Sequence, residues 1–324
     1  MKKRVKRWLG ILVTGALVLL STTSSFAAQK KLNVALAVGT SANPFYISMA
    51  TGAKDAADQL GVEFTWQGPK TWDFAKQSMI VKALVTRGVD FILIAPCDPN
   101  ALIEPLQSAV DEGIAVATVD TDLSSNLPLF NIASENYEGG RIAGETLAKL
   151  INYQGEVALM GAMTGVTTNE ERYAGFKDAI KKYTEIKLVT TQYSGSSQTK
   201  ATSQMEAVLI GHPDLAGAFG VDTPTAHGVA IGIRNAGKKG QVKLVGFDSQ
   251  PLEVQDLKEG LTQALIAQAP YAMGFVGVQL AYDYLQGYIS EFPRHLKTGF
   301  YVITPENVNE PEAKKWIYKT ELPR

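Results

Sequence analysis

The chain has 324 residues, 45% of them hydrophobic and 19% charged, which suffices for a large core and, by length, about two domains. Its net charge of −1, with Lys and Arg scattered beyond the first few residues, gives a nucleic-acid partner no electrostatic support. One cysteine, Cys97, excludes an intramolecular disulfide, and the dispersed His212, His227 and His295 have no metal-ligand spacing, so neither a metal nor a cofactor is expected.

The N-terminus opens with cationic "MKKRVKRW" and continues with apolar "LGILVTGALVLL" and polar "STTSSFAAQ". The apolar run is short for a membrane span, and Ser25 and Ala27 stand where a cleavage site needs small residues. Residues 1–27 therefore read as a cleaved signal peptide, and a Gram-negative periplasm as the destination. No cysteine stands near the cleavage point, so lipid attachment there is excluded.

Beyond it, short apolar runs alternate with amphipathic stretches. Strands are expected at 32–38, 62–66, 91–95, 115–119 and 129–133, with helices at 45–60, 74–87 and 99–112 ending near Gly61, Gly88 and Gly113. The pattern then restarts. Strands fit 155–162, 186–192, 217–221, 243–247 and 262–268; helices fit 136–151, 169–183, 198–211, 224–236, 251–259 and 270–286. Near-continuous apolar strands alternating with helices imply an α/β chain of two units, each a parallel sheet covered on both faces. No Gly/Ser-rich linker divides them. Trp316 and Tyr318 stand among charges in the tail and could pack on a surface.

In open parallel sheets ligands bind beyond the carboxyl ends of the strands. The first strand opens into "TSANPFY", placing Asn43, Phe45 and Tyr46 there. Later strand ends carry Asp120, Thr121 and Asp122, then Thr167, Thr168, Asn169 and Arg172, then Asp222, Asp248 with Ser249, and Gln268. Any one of Asp120, Asp222 or Asp248 could simply cap a helix. Caps, however, would not also require two aromatic rings and an Arg. No G-x-x-x-x-G-K-[ST] or G-x-G-x-x-G follows a strand, and three carboxylates against one Arg repel an anion. Asp120 with Asp122 could form an acid–base pair, but G-x-S-x-G is absent and no residue set completes a mechanism, so an enzyme is not expected. Cys97, ending an apolar strand, reads as a small buried hydrophobe. A sugar or polyol suits the set: rings cover its C–H faces, while carboxylates, amides and a guanidinium pair with its hydroxyls.

The chain resembles the ribose/galactose-type periplasmic binding proteins, the substrate-capturing subunits of sugar ABC importers. The resemblance rests on "NPFY", "VD" at 119–120, "ERYAGF" at 171–176, "VGFD" at 245–248 and "ALIAQ" at 264–268, and covers nearly the whole mature chain. It implies ligand contacts at Asn43, Phe45, Asp120, Arg172, Asp248 and Gln268. Departures are Tyr46 for a second Phe, Thr121 for an Arg, Asp222 for an Asn, and Ser196 or Ser197 about where a third aromatic is expected. A different pentose, a hexose or a sugar alcohol then stands beside ribose as ligand. "TWQGPKTWDFAKQ" and "DTD" also resemble the autoinducer-2 binders. The family fold implies two Rossmann-like lobes with three crossings near residue 134, Gln268 and Gly299: 29–133 plus 269–298, and 134–267 plus 299–324. Hinge closure on the ligand, then docking of a monomer on a membrane permease, is the implied mechanism; the alternative is a sensor of the same fold signalling sugar or autoinducer-2 to a membrane receptor or kinase.

Overall fold

The computed structural model describes residues 31–322, so the signal-peptide expectation for residues 1–27 lies outside the described residues. In chain order, β1 (Asn33–Ala37), α1 (Pro44–Leu60), β2 (Glu63–Gln67), α2 (Phe74–Arg87), β3 (Phe91–Ile94), α3 (Ile103–Asp111), β4 (Ala115–Val119) and β5 (Asn131–Ser134) come first. Then follow α4 (Asn136–Leu150), β6 (Gly155–Gly161), α5 (Thr167–Ile180), β7 (Ile186–Tyr193), α6 (Gln198–Gly211), β8 (Leu215–Gly220), α7 (Thr223–Asn235), β9 (Lys243–Phe247), α8 (Pro251–Lys258) and β10 (Ala264–Ala267). The chain closes with α9 (Pro270–Leu285), β11 (His295–Thr298), β12 (Tyr301–Ile303) and α10 (Pro311–Lys315).

Two sheets result, ordered β11-β5-β4-β3-β1-β2 and β12-β10-β9-β8-β6-β7. All pairings are parallel except β10 with β12. Alternation along each strand feeds two cores per sheet. Val34 and Leu36 join a cluster with Met49 and Ala53 of α1, whereas Ala35 and Ala37 face Val81 and Leu84 of α2 and Leu106 of α3. The second sheet repeats the scheme. Val157 and Leu159 pack with Ala143 of α4 and Phe176 of α5; Ala158 and Met160 pack with Met205 of α6 and Val229 of α7.

Up to β12 the chain passes between the two lobes three times: between β5 and α4, between β10 and α9, and between β11 and β12. The last two strands and α10 have no counterpart among the predicted elements. They are only 4, 3 and 5 residues long, and β11 is half exposed, so neither length nor periodicity marks them. The helix expected from residue 99 starts at Ile103, because Asp98 Oδ1 first accepts the Asn100 and Ala101 N–H groups in a turn.

Two glycines fix the helix pairs that carry site residues. A methyl group at Gly140 of α4 would lie 2.1 Å from the Arg172 carbonyl oxygen of α5. One at Gly274 of α9 would lie 1.9 Å from the Met49 carbonyl oxygen of α1. Only glycine permits such backbone-to-backbone contact.

Candidate ligand-binding site

The carboxyl ends of both sheets face a common cleft. From the first lobe, Asn43 caps α1, its Oδ1 accepting the Phe45 N–H at 2.9 Å, and Pro44 takes the first helical turn, where its missing N–H costs nothing. This cap fixes Phe45 and Tyr46 in edge-to-face contact, centroids 5.2 Å apart. The Tyr46 hydroxyl donates to Asp120 Oδ2 at 2.7 Å. From the second lobe, Arg172 is buried, its Nε donating to Asn136 Oδ1 at 2.9 Å and Nη1 to the Val221 carbonyl at 3.1 Å. Its guanidinium lies 3.9 Å over the Phe247 ring.

Asp120 and Asp248, at the ends of β4 and β9, both hold left-handed backbone, with φ of 65° and 89°. Asp tolerates that region better than most side chains, but it still costs energy, and such outliers cluster at ligand sites. Ser196, with φ of 57°, is a third.

Charge is unevenly distributed. Burial pushes the Asp120 carboxyl up to about 6, against the Tyr46 hydrogen bond and the attraction of Arg172, while nearby Asp248 raises it further. Burial likewise raises Asp248, opposed by Arg172 and by hydrogen bonds from Gln268 and Tyr318. Glu253, buried behind the cleft, is raised well above the usual carboxylate range by burial and then by Asp248. The mutual influence of Asp120, Arg172 and Asp248 places groups of both lobes within one electrostatic neighbourhood.

The remaining expected residues are more committed to protein. Asp222 caps α7 through Oδ1, which accepts the Thr225 N–H at 3.0 Å, while its Oδ2 accepts the Ser196 hydroxyl at 2.6 Å. The Thr121 hydroxyl donates to the Pro96 carbonyl at 2.8 Å. Gln268 Nε2 donates to Asp248 Oδ1 at 2.6 Å, and its buried Oε1 has no hydrogen-bond partner among the described residues. Ser197 caps α6. Asp122 forms no acid–base pair with Asp120: it accepts from the Thr118 hydroxyl and pairs with Arg294 at 3.0 Å. Among the described residues no group of three or more His, Cys, Asp or Glu could hold a metal ion.

Sequence reading overlooked three participants. Trp72 stacks on Tyr46 with centroids 6.2 Å apart, donates Nε1–H to the Cys97 carbonyl at 2.9 Å, and keeps 48% of its surface exposed. Its indole rests on Gly39, where a methyl group would come within 2.3 Å of the ring. Gln250 Nε2 donates to Asn43 Oδ1 at 3.2 Å, lobe to lobe. Tyr318, from the tail, donates its hydroxyl to Asp248 Oδ1 at 2.9 Å and sets its ring edge-on to Phe45 at 5.7 Å.

Two α/β lobes that close carboxylates, a buried guanidinium and aromatic faces around a cleft define a solute-binding protein. The periplasmic binding protein domain matches residues 34–289, and the chain belongs to that family. It is 32% identical over 270 residues to the ribose import binding protein of Salmonella typhimurium, covering 83% of this chain and 90% of that one. It is 31% identical over 315 residues to the D-ribose/D-allose-binding protein of Pseudomonas aeruginosa, covering 91% and 97% of the two chains. Among solved structures, an ABC transporter solute-binding protein from Agrobacterium vitis bound with α-D-tagatopyranose superposes with a TM-score of 0.81 at 37% identity, covering 89% of this chain and 100% of that one. These relatives are transporter substrate-binding proteins, and among the described residues no helix is long and apolar enough to cross a membrane.

Proposed function

We propose that this protein captures a neutral sugar or sugar alcohol in the periplasm by hinge closure and delivers it, as a monomer, to the permease of an ABC importer. The observation that supports this reading is that buried Arg172 attracts both Asp120 and Asp248, at the ends of β4 and β9, beside the rings of Phe45, Tyr46 and Trp72. Carboxylates accept from vicinal hydroxyls, the guanidinium donates, and rings cover the C–H faces. Asn43, Phe45, Tyr46, Asp120 and Thr121 serve from the lobe of residues 29–133 plus 269–298. Arg172, Asp222 and Asp248 serve from the lobe of 134–267 plus 299–324, whose tail runs back onto the first lobe at Tyr318, and Gln268 stands at a crossing. Thr121 contributes only an acceptor lone pair, since its proton is committed to Pro96. Trp72 supplies the exposed aromatic face that Ser196 cannot. Residues 1–27 direct export and are removed. The ligand favours the closed state by touching both lobes, with an affinity of about −8 kcal/mol or better.

Relatives that take ribose, allose and tagatose put aldoses and ketoses in scope. An acidic cleft with a single guanidinium disfavours sugar acids and phosphates. A thermal-shift screen of the mature protein against pentoses, hexoses, alditols, sugar acids and autoinducer-2 tests this, because a ligand of the native state alone must raise Tm. A shift with one neutral sugar or alditol is expected. A shift only with an aldonate, a uronate or autoinducer-2 would overturn it.

A further inference from the structure

The tail crosses the lobes a fourth time. It starts on the second lobe, where Trp316 stacks on Tyr301 at 5.6 Å and Ile317 packs against the cluster of Val254, Leu257 and Ile303. The Tyr318 N–H donates to the Ser249 carbonyl at 3.1 Å. From there the chain enters the first lobe: Tyr318 is 3% exposed inside the cluster of Phe45 and Met49, Leu322 packs against the same cluster, and the Lys319 N–H donates to Ser48 Oγ of α1 at 2.6 Å. The Tyr318 hydroxyl is saturated by the site, donating to Asp248 Oδ1 at 2.9 Å and accepting the Gln268 N–H at 3.1 Å.

We propose that residues 316–319 are a strap joining the lobes and that Tyr318 is a positioning residue, holding the Asp248 carboxylate in its binding pose and coupling it to lobe closure. Three observations converge on Tyr318. Asp248 sits in a left-handed conformation, so its pose depends on what surrounds it. The Tyr318 ring wedges against Phe45 of the first lobe while its hydroxyl holds Asp248 of the second. Its hydroxyl shares Asp248 Oδ1 with Gln268 Nε2, leaving Oδ2 for the cleft. Besides the Tyr318 hydroxyl, the titratable groups facing Asp248 are Arg172 on α5, Asp222 ahead of α7, Glu253 on α8, Asp120 after β4 and Tyr46 on α1; Gln268 adds a neutral donor.

This inference rests on the capture reading for its affinity arm only. Full mature chains are compared as wild type, Tyr318→Phe, Ser48→Ala and a form ending at Lys315. Tyr318→Phe keeps the ring and loses one donor to a carboxylate, so the dissociation constant for the sugar found in the screen should rise about tenfold. The acid midpoint for binding should also move up, because the Asp248 anion has lost a stabilising donor; a purely structural contact would leave that midpoint in place. Without any ligand, small-angle scattering should give a larger radius of gyration for the truncated form, and a smaller increase for Ser48→Ala. An unchanged dissociation constant and acid midpoint in Tyr318→Phe would overturn the positioning role. An unchanged radius in folded truncated protein would overturn the strap. If no sugar shifts the wild type, the capture reading falls while the scattering arm still decides the strap.

Discussion

Asn43 Oδ1 accepts two hydrogen bonds from opposite sides of the cleft, the Phe45 N–H of its own helix and the Gln250 side-chain amide 207 residues away in sequence. One atom thus caps α1 and latches the lobes. Gln250→Ala removes the latch and, with it, the Gln250 side chain's half of the capping box that opens α8. The closed state should lose about 1 kcal/mol, and ligand should bind roughly fivefold more weakly, while unliganded Tm falls only by the share of the lost cap. Isothermal calorimetry with parallel melting curves checks it. A fall in unliganded Tm with no change in affinity would contradict the latch.

Arg172 is buried, with two of its nitrogens donating to protein and its plane over Phe247. Arg172→Lys keeps the charge and loses the planar fork. Binding should fall by on the order of 3 kcal/mol, about a hundredfold. Circular dichroism must establish that the variant is folded; affinity within a few-fold of wild type would remove Arg172 from the site.

The Asp120 carboxyl titrates near 3.8 when unfolded and about 6 in the fold. Between these values the folded state holds a proton that the unfolded chain has released. The stability contributed by this group is therefore full below about 3.8 and lost as pH rises through about 6. Wild type minus Asp120→Asn should show that slope in unliganded melting curves. Ligand hydroxyls need the anion, so affinity should run the other way and weaken about tenfold per unit on acidification below the folded value. Calorimetry across that window should find a shallower dependence in Asp120→Asn than in wild type, the remainder belonging to Asp248.

Phe45 and Trp72 separate stacking from folding. In the sequence reading Phe45 is a ring that covers a C–H face of the sugar. Phe45 is in fact 6% exposed and packed between Tyr46 and Tyr318, so truncation should also destabilise the fold by about 3–5 kcal/mol. Trp72→Ala, at the exposed rim, should lower sugar affinity by about 1–2 kcal/mol with little change in unliganded Tm.

Burial pushes the Cys97 thiol up to about 11. At neutral pH it should react far more slowly with iodoacetamide than a free thiol, and mass spectrometry after timed exposure would reveal otherwise.

The alternation of apolar runs and amphipathic stretches located both sheets and nine helices, because each strand covered on two faces leaves a continuous hydrophobic signature. Of the three aspartates offered as possible caps, Asp222 is one, at the start of α7, whereas the cap at Asn43 reads in the sequence only as a ligand contact. Partner choice was not legible. Asp120 and Asp122 are two residues apart, yet one reaches Tyr46 and the other Arg294, since successive residues past a strand end point differently. Tyr318 stands in a charged tail with no periodicity, and its insertion beside Asp248 depends on a packing of 70 residues' separation that no local pattern encodes. Trp72 depends equally on the bare backbone at Gly39, a complementarity visible only in three dimensions.

Backbone contact at Gly140 and Gly274 leaves no compliant side-chain layer between α4 and α5, or between α1 and α9. Each pair must therefore travel as a single stiff plate. A fluorophore on the outer face of α9 would report the displacement of Phe45, and one on α4 that of Arg172, so the closing stroke can be followed from labels that never touch the sugar.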